Sequence, residues 1–312
     1  MIFKKPKFWD LKKSNLLSKF LLPLTFPILL NNFFLNKKNK KKSLNIKTIC
    51  VGNIYLGGTG KTPTTIKLYE ILKSRGFNVA TGKKNYINQE DEKIILEKET
   101  ALISYKTREE IIRKALDSKK EVLIFDDGLQ DKDIDYNLKF VCFDKNNWIG
   151  NGYLIPAGPL REKLNSLKKY DAVFLKGDNS LITNIENQIK RYNSQIKIFY
   201  SSYKPVNLKD FEFDKKYLIF SGIGNPKSFK DLLIKNNFNI AKEIIFPDHF
   251  NYKLNDIKKI EKMAKDLDTK IITTEKDFVK IKKFKIENIN FLKVELEIEN
   301  KENLINFLKL KI

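Results

Sequence analysis

The sequence predicts an α/β protein: a parallel sheet flanked by helices, with a smaller C-terminal α/β subdomain and an apolar, basic N-terminal segment. Three observations predict it. From residue 46 onward, short apolar runs alternate with helical patterns, the signature of βαβ units around a parallel sheet. Within the first unit, residues 46–63 read IKTICVGNIYLGGTGKTP, an apolar strand, a glycine-rich turn and the start of a helix. A second run of alternation begins near Tyr217, after the polar stretch SYKPVNLKDFEFDKK (202–216), which reads as a linker. The expected organisation is therefore an N-terminal segment 1–45, a larger domain 46–205 and a subdomain 206–312.

The elements follow in order. Residues 20–35, FLLPLTFPILLNNFFL, are apolar and flanked by Lys12, Lys13 and Lys19 before and by Lys37, Lys38, Lys40, Lys41 and Lys42 after. The run falls short of the ~20 residues that span a bilayer, and Pro23, Pro27, Asn31 and Asn32 interrupt it. No small-residue cleavage site follows, as a signal peptide would require. Large apolar residues inside a polybasic collar suit a segment lying in the interface of an anionic membrane; a helix packed on the protein body is the alternative. Candidate strands are 46–51, 77–81, 101–105, 122–125, 139–143, 171–175 and 196–201, with a helix from Thr64 to about Ser74. Thr107 and Glu110 form a capping box at the start of another helix. The second run gives a strand 217–221, a helix from Pro226, a strand 243–246, a helix 254–267, strands 270–274 and 290–296, and a terminal helix.

Composition excludes some classes. The chain has 312 residues, 42% hydrophobic, enough for an ample core. Its formal charge is +22, but the lysines are spread along the whole chain and arginines are few. Clustered basic faces and arginine forks, which nucleic-acid readers use, are not evident. The two cysteines, Cys50 and Cys142, lie in apolar strand-like runs without metal-ligand spacing, so they read as core thiols.

The glycine-rich turn specifies chemistry. Gly57, Gly58 and Gly60 let the backbone curl so that the N–H groups of Tyr55, Leu56, Gly57, Gly58, Thr59, Gly60, Lys61 and Thr62 cradle phosphate oxygens. Lys61 then reaches the β- and γ-phosphates, and the Thr62 hydroxyl ligates Mg²⁺. The helix that follows adds its N-terminal dipole to the same anion site. The pattern places a glycine five residues before Gly60, where this chain has Tyr55. The expected fold is thus P-loop NTPase-like, with ATP and Mg²⁺ as its ligands. In VLIFDDGLQ (122–130), Asp126 and Asp127 stand at the carboxyl end of an apolar strand, where a carboxylate holds Mg²⁺ directly or through water. In GNGYLIPAGPLRE (150–162), Arg161 is placed to stabilise the charge of a phosphoryl-transfer transition state and Glu162 to complete the metal shell, a surface salt bridge being the alternative. The single histidine, His249, sits in IIFPDHFNY after a strand, where it can orient a carboxylate acting as general base. Asp91 and Glu92 in NQEDEKIIL are the candidates for that base; spacing alone does not choose between them.

Taken together, these segments resemble the tetraacyldisaccharide 4′-kinases of lipid A biosynthesis. The matching pieces are VGNIYLGGTGKTP (51–63), DDGLQ (126–130), NGYLIPAGPLRE (151–162), FSGIGNP (220–226), FPDHF (246–250) and TTEKD (273–277), in the family's order. The resemblance implies ATP- and Mg²⁺-dependent phosphorylation of the 4′-hydroxyl of a tetraacyldisaccharide 1-phosphate, forming lipid IVA at the cytoplasmic face of the bacterial inner membrane. It implies an acylated glucosamine disaccharide as partner, and neither nucleic acid nor an obligate protein. Lys61 and Thr62 carry over as phosphate and metal contacts, Asp126 and Asp127 as the acidic pair, and Arg161 and Glu162 as the family's Arg-Glu. Asp91 falls at the aspartate of the family's Gly-Asp-Glu motif and resembles its catalytic base, supported by His249, the pair joining two domains across a cleft. Three departures stand out. Leu129 and Asp131 replace a Phe and a His, TGKKNYI (81–87) lacks the arginine of the family's Ser-Arg-Gly-Tyr, and Glu90 replaces a glycine. Two other readings remain at this point: a soluble P-loop ATPase or small-molecule kinase, and a non-catalytic nucleic-acid-binding protein.

Overall fold

A computed structural model describes residues 5–11, 15–37, 45–86, 89–131, 134–177, 182–286 and 288–312. Lys12, Lys13, Lys38, Lys40, Lys41 and Lys42 of the expected basic collar lie outside the described residues. The chain opens with α1 (Leu16–Leu21) and α2 (Phe26–Lys37), then β1 (Lys47–Gly52), α3 (Lys61–Ser74), β2 (Val79–Lys84), α4 (Glu90–Glu99), β3 (Leu102–Tyr105) and α5 (Arg108–Asp117). It continues through β4 (Val122–Asp126), β5 (Leu138–Asp144), β6 (Ala172–Lys176), α6 (Ile182–Tyr192) and β7 (Lys197–Pro205). The remainder is β8 (Lys216–Ser221), α7 (Pro226–Lys235), β9 (Asn239–Ile245), α8 (Leu254–Asp266), β10 (Lys270–Thr274), α9 (Glu275–Ile281), β11 (Ile289–Leu292), β12 (Val294–Ile298) and α10 (Lys301–Lys309).

Contacts divide the chain into two compact units. The larger holds Pro6–Tyr86, Leu96–Ser202 and Leu296–Ile312; the smaller holds Ile87–Ile95 and Tyr203–Glu295. The larger is built on an eight-stranded sheet of order β12-β7-β6-β5-β1-β4-β2-β3. Neighbours from β7 to β3 pair parallel. Its central strands are apolar on both faces, as helix-covered parallel strands must be: every residue of β4, VLIFD, is buried. The chain steps from β1 to β2 on one side and later to β5 on the other, so the strand order reverses at β1. Ligands of open α/β sheets bind at such a point, beyond the carboxyl ends of the strands. Register places Val51 of β1 beside Asp126 of β4, which brings the glycine-rich turn and the acidic pair to one edge.

The smaller unit repeats the plan on four parallel strands, β11-β10-β8-β9. Its reversal lies between β8 and β10. The carboxyl ends of β8, β9 and β10 lead into FSGIGNP, FPDHF and TTEKD, the last running from the end of β10 straight into α9, so three of the quoted motifs meet at one carboxyl edge.

Three expectations are revised. The single strand 290–296 is two, β11 in the small sheet and β12 in the large one. The break falls at Lys293, whose N–H donates to Asn207 Oδ1 at 2.8 Å and whose carbonyl accepts from Val206 N at 3.0 Å. Residues 296–312, read as part of the subdomain, therefore lie in the larger unit, where Phe307 of α10 packs on Phe140 and Phe199. The polar stretch 202–216 is no free linker: β7 runs to Pro205, and Asn207 Nδ2 donates to the Phe291 carbonyl at 3.0 Å.

Candidate active site

At the end of β1 the backbone turns through Gly57, Gly58 and Thr59 and enters α3 at Gly60. Gly60 caps the helix at φ +88°, a left-handed conformation that a side chain would strain. Lys61 and Thr62 occupy the first turn, whose N–H groups have no intrahelical acceptor; Pro63, next in line, has no N–H. The turn is braced from within by Asn53, fully buried, whose Nδ2 donates to the Gly57 carbonyl (3.2 Å) and to Thr59 Oγ1 (3.0 Å). Tyr55 and Leu56, expected in the phosphate cradle, are engaged elsewhere. The Tyr55 ring is buried with Leu154 and Leu160, its hydroxyl donates to Asp10 Oδ1 at 2.6 Å, and Leu56 N donates to the Pro159 carbonyl at 2.8 Å. Tyr55 thus stands where the pattern has glycine because the start of the loop is a packing surface.

Thr62 and Asp126 meet as the two motifs require, with Thr62 Oγ1 3.0 Å from Asp126 Oδ2. Asp126 Oδ2 also accepts from Lys83 Nζ at 2.8 Å, a pair almost wholly buried. Removing one partner from such a pair costs about 3–5 kcal/mol, because the other charge stays buried. Lys83 lies in the TGKKNYI segment that departs from the family pattern. Asp127 adopts φ +64° and faces cations: Arg161 Nη1 stands 3.4 Å from its Oδ1 and Lys61 Nζ 3.8 Å from its Oδ2. Glu162, buried, accepts at Oε1 from Gln130 Nε2 (3.0 Å) and Tyr170 OH (3.1 Å). The four expected metal residues therefore do not form one cluster, and no group of three or more acidic, His or Cys residues suited to a metal occurs among the described residues. A hydroxyl next to a carboxylate is nonetheless the hard-oxygen set that Mg²⁺ takes when phosphates supply further ligands. Thr62 and Asp126 fit that role.

Gln130 and Arg108 were not singled out from sequence. Gln130 ties three parts of the site together: its Nε2 donates to the Asn53 carbonyl as well as to Glu162, and its Oε1 accepts from Arg161. Arg108 donates from Nη1 to Asp131 Oδ2 (2.6 Å) and from Nη2 to the carbonyl of Asp127, pinning that left-handed residue. Arg108 is one of only five arginines in a lysine-rich chain, as is Arg161, and that scarcity is the signal in the sequence that could have found it. The loop bearing Arg161 is also held by the N-terminal segment. Buried Trp9 donates from Nε1 to the Pro156 carbonyl (3.0 Å), Asn151 Nδ2 donates to Ser18 Oγ (2.9 Å), and Asn32 Nδ2 donates to the Arg161 carbonyl (3.1 Å).

In the smaller unit, Asp91 lies in the first turn of α4, almost fully buried. Its carboxylate accepts from Glu92 N (2.9 Å) and stands 3.2 Å from His249 Nδ1. His249 adopts φ +55°, held by its N–H to the Gly222 carbonyl at 3.2 Å. Such strain in a non-glycine residue marks a position fixed by its surroundings. A Cβ on Gly222 would meet Tyr252 OH at 2.9 Å, so glycine is required for this approach. Burial alone would raise the pKa of Asp91; the hydrogen bond from His249 and the ammonium groups of Lys276 and Lys280 outweigh it and hold the carboxyl well below the usual range. Glu92, the other candidate base, pairs with Lys276 Nζ at 3.2 Å and stands 3.9 Å from His249 Nε2, while Asp91 makes the shorter, 3.2 Å contact to His249 Nδ1. The expected pairing of Asp91 with His249 is present, but inside one unit and not across two, because residues 87–95 group with the smaller unit.

A family model described as tetraacyldisaccharide-1-P 4′-kinase matches residues 18–312. The chain belongs to this family. A tetraacyldisaccharide 4′-kinase of Pelagibacter ubique is 45% identical over 307 residues, covering 98% of this chain and 97% of the relative. One of Rickettsia bellii is 34% identical, covering 88% and 89%. The crystal structure of LpxK from Aquifex aeolicus in complex with ATP superposes with a TM-score of 0.70 over 94% of this chain and 99% of that one; at 23% identity it supports the fold. Like the other members of the tetraacyldisaccharide-1-P 4′-kinase family, the chain is a kinase, and neither the soluble ATPase nor the nucleic-acid reading is favoured.

Proposed function

We infer that this chain transfers the γ-phosphoryl group of ATP to the 4′-hydroxyl of a tetraacyldisaccharide 1-phosphate, at the cytoplasmic face of the bacterial inner membrane. The observation that carries the reading is the convergence of Lys61 and Arg161 on Asp127, beside the Thr62–Asp126 pair. Mg²⁺, when bound, neutralises phosphate charge and orients the transferring group. Thr62 and Asp126 would hold it, Asp127 would position the two cations, and Glu162 would support Gln130 and Arg161. Lys61 and Arg161 then stabilise the charge that spreads over the phosphoryl oxygens during transfer. Asp91 accepts a hydrogen bond from the acceptor hydroxyl and takes its proton as the new O–P bond forms and the bond between the γ-phosphorus and the β–γ bridging oxygen breaks, releasing ADP. A loose transition state asks little activation of the nucleophile in advance. Incubated with γ-labelled ATP, Mg²⁺ and the disaccharide lipid in mixed micelles, the protein should label the lipid; label in inorganic phosphate alone would support the ATPase reading.

The exposed apolar residues of the N-terminal helices support a membrane-surface location. Leu16, Phe20 and Phe26 are 85%, 80% and 60% exposed. Among the described residues no helix is long and apolar enough to cross a membrane, and an interfacial segment needs none. Because Trp9 and Asn32 also brace the Arg161 loop, deleting the segment would damage the site; replacing Leu16 and Phe20 with Asp separates the two roles. That variant should lose flotation with anionic vesicles and show a raised KM for vesicle-borne lipid, with kcat in detergent micelles retained. Undiminished flotation would contradict the surface anchor.

A further inference from the structure

The segment TTEKD (273–277) has no part in the phosphate or metal chemistry, yet it builds the floor beneath Asp91. Thr274 ends β10 and caps α9, accepting from Asp277 N at 3.1 Å. Asp277 is completely buried: its Oδ2 accepts from Gly222 N (2.9 Å) and Thr274 Oγ1 (2.8 Å), and its Oδ1 from Lys280 Nζ (3.2 Å). Spacing i, i+4 puts Lys276 and Lys280 on one face of α9. Lys280 Nζ stands 3.1 Å from Asp91 Oδ2 and thereby bridges two buried carboxylates. Lys276 Nζ lies 3.7 Å from Asp91 Oδ2, 3.2 Å from Glu92 Oε1 and 3.8 Å from Asp248 Oδ1.

We propose that Lys280, seated on Asp277 and assisted by Lys276, is a positioning residue that orients the Asp91 carboxylate and supplies its counter-charge. The proposal rests on the reading of Asp91 as proton acceptor. The Glu92 amide engages Oδ1, the two ammonium groups engage Oδ2, and His249 Nδ1 stands 3.2 Å from both oxygens, so rotation about the Asp91 side chain would break contacts at each. Among the described residues, the charged and titratable groups around Asp91 include Glu92 on α4, Asp248, His249 and Tyr252 after β9, and Lys276, Asp277 and Lys280 on α9. Of these, only the two lysines and a protonated His249 favour the ionised form electrostatically. Removing Lys280 therefore moves the Asp91 pKa upward. A base with a raised pKa is protonated over more of the acid range, so the acid limb of kcat/KM moves to higher pH.

The test is the pH profile of phosphotransfer in mixed micelles for the wild-type chain, Lys280→Met, Lys280→Arg and Asp91→Asn. Lys280→Met should shift the acid limb upward by about one unit or more, the size of effect a neighbouring opposite charge exerts, and Lys280→Arg should restore it. An unmoved limb in Lys280→Met, with Asp91→Asn inactive, overturns the positioning role and leaves the Asp91 reading standing. An active Asp91→Asn overturns both. Should Lys280→Met fail to fold because Asp277 is left unpaired, Lys276→Met serves in its place. It touches Asp91 but not Asp277, and should move the limb in the same direction; an unmoved limb there overturns the proposal equally.

Discussion

Lys61→Ala is expected to lower kcat for phosphotransfer by about 10²–10³-fold or more, the cost of removing one preorganised charge-stabilising donor. The loss should fall on kcat more than on the KM for ATP, because the charge Lys61 meets grows on passing to the transition state. Folding should survive. Lys61 contacts Asp127 at 3.8 Å, a long ion pair, and Arg161 still stands 3.4 Å from the same carboxylate. Steady-state kinetics beside a thermal melt separates the two effects. Near-wild-type turnover would remove the glycine-rich turn from the mechanism.

Asp91→Asn should reduce kcat by about 10²–10⁴-fold, the range for a general base, with the KM for ATP little changed. His249→Ala should give a smaller loss, since histidine supports the carboxylate and does not itself receive the proton. The same residue couples to stability. The pKa of Asp91 is depressed in the folded chain, so its ionised form contributes stability that is complete above the unfolded value of about 4 and is lost as pH falls below it. Asn at this position forfeits that contribution at every pH and leaves Lys276 and Lys280 without their shared partner. A comparison of melts at neutral and acid pH should therefore show the variant's deficit narrowing as the wild-type carboxylate protonates. A wild-type rate for Asp91→Asn would exclude it as proton acceptor.

Much of this architecture is legible in the residues. Short continuous apolar runs such as VLIFD fit buried parallel strands, and GGTGKT calls for a strand behind it and a helix ahead. Thr107 and Glu110 form the capping box their spacing demands. Legibility failed where long-range contacts decide. The chain leaves the small sheet at Lys293 because of Asn207, 86 residues earlier, and no local pattern signals that hydrogen bond. Tyr55 read as a blemish in a phosphate loop because its partner, Asp10, lies in a segment whose composition drew attention to membranes. Lys83, which pairs with Asp126, and Lys276 and Lys280, which face Asp91, are hidden by abundance: among 60 basic residues a single lysine carries little information until its burial is known. Arginine scarcity worked the other way. With only five in the chain, Arg161 and Arg108 stand out from the lysine background.

In the proposed reaction the acceptor is a sugar hydroxyl and the donor the γ-phosphoryl group of ATP. Phosphorus NMR of the lipid recovered from the enzymatic reaction tests it most directly. One new phosphomonoester signal coupled to the 4′-proton of the sugar is expected, with the anomeric phosphate unchanged. A pyrophosphate pair at the anomeric position, or no new lipid phosphorus while ATP is consumed, would contradict it.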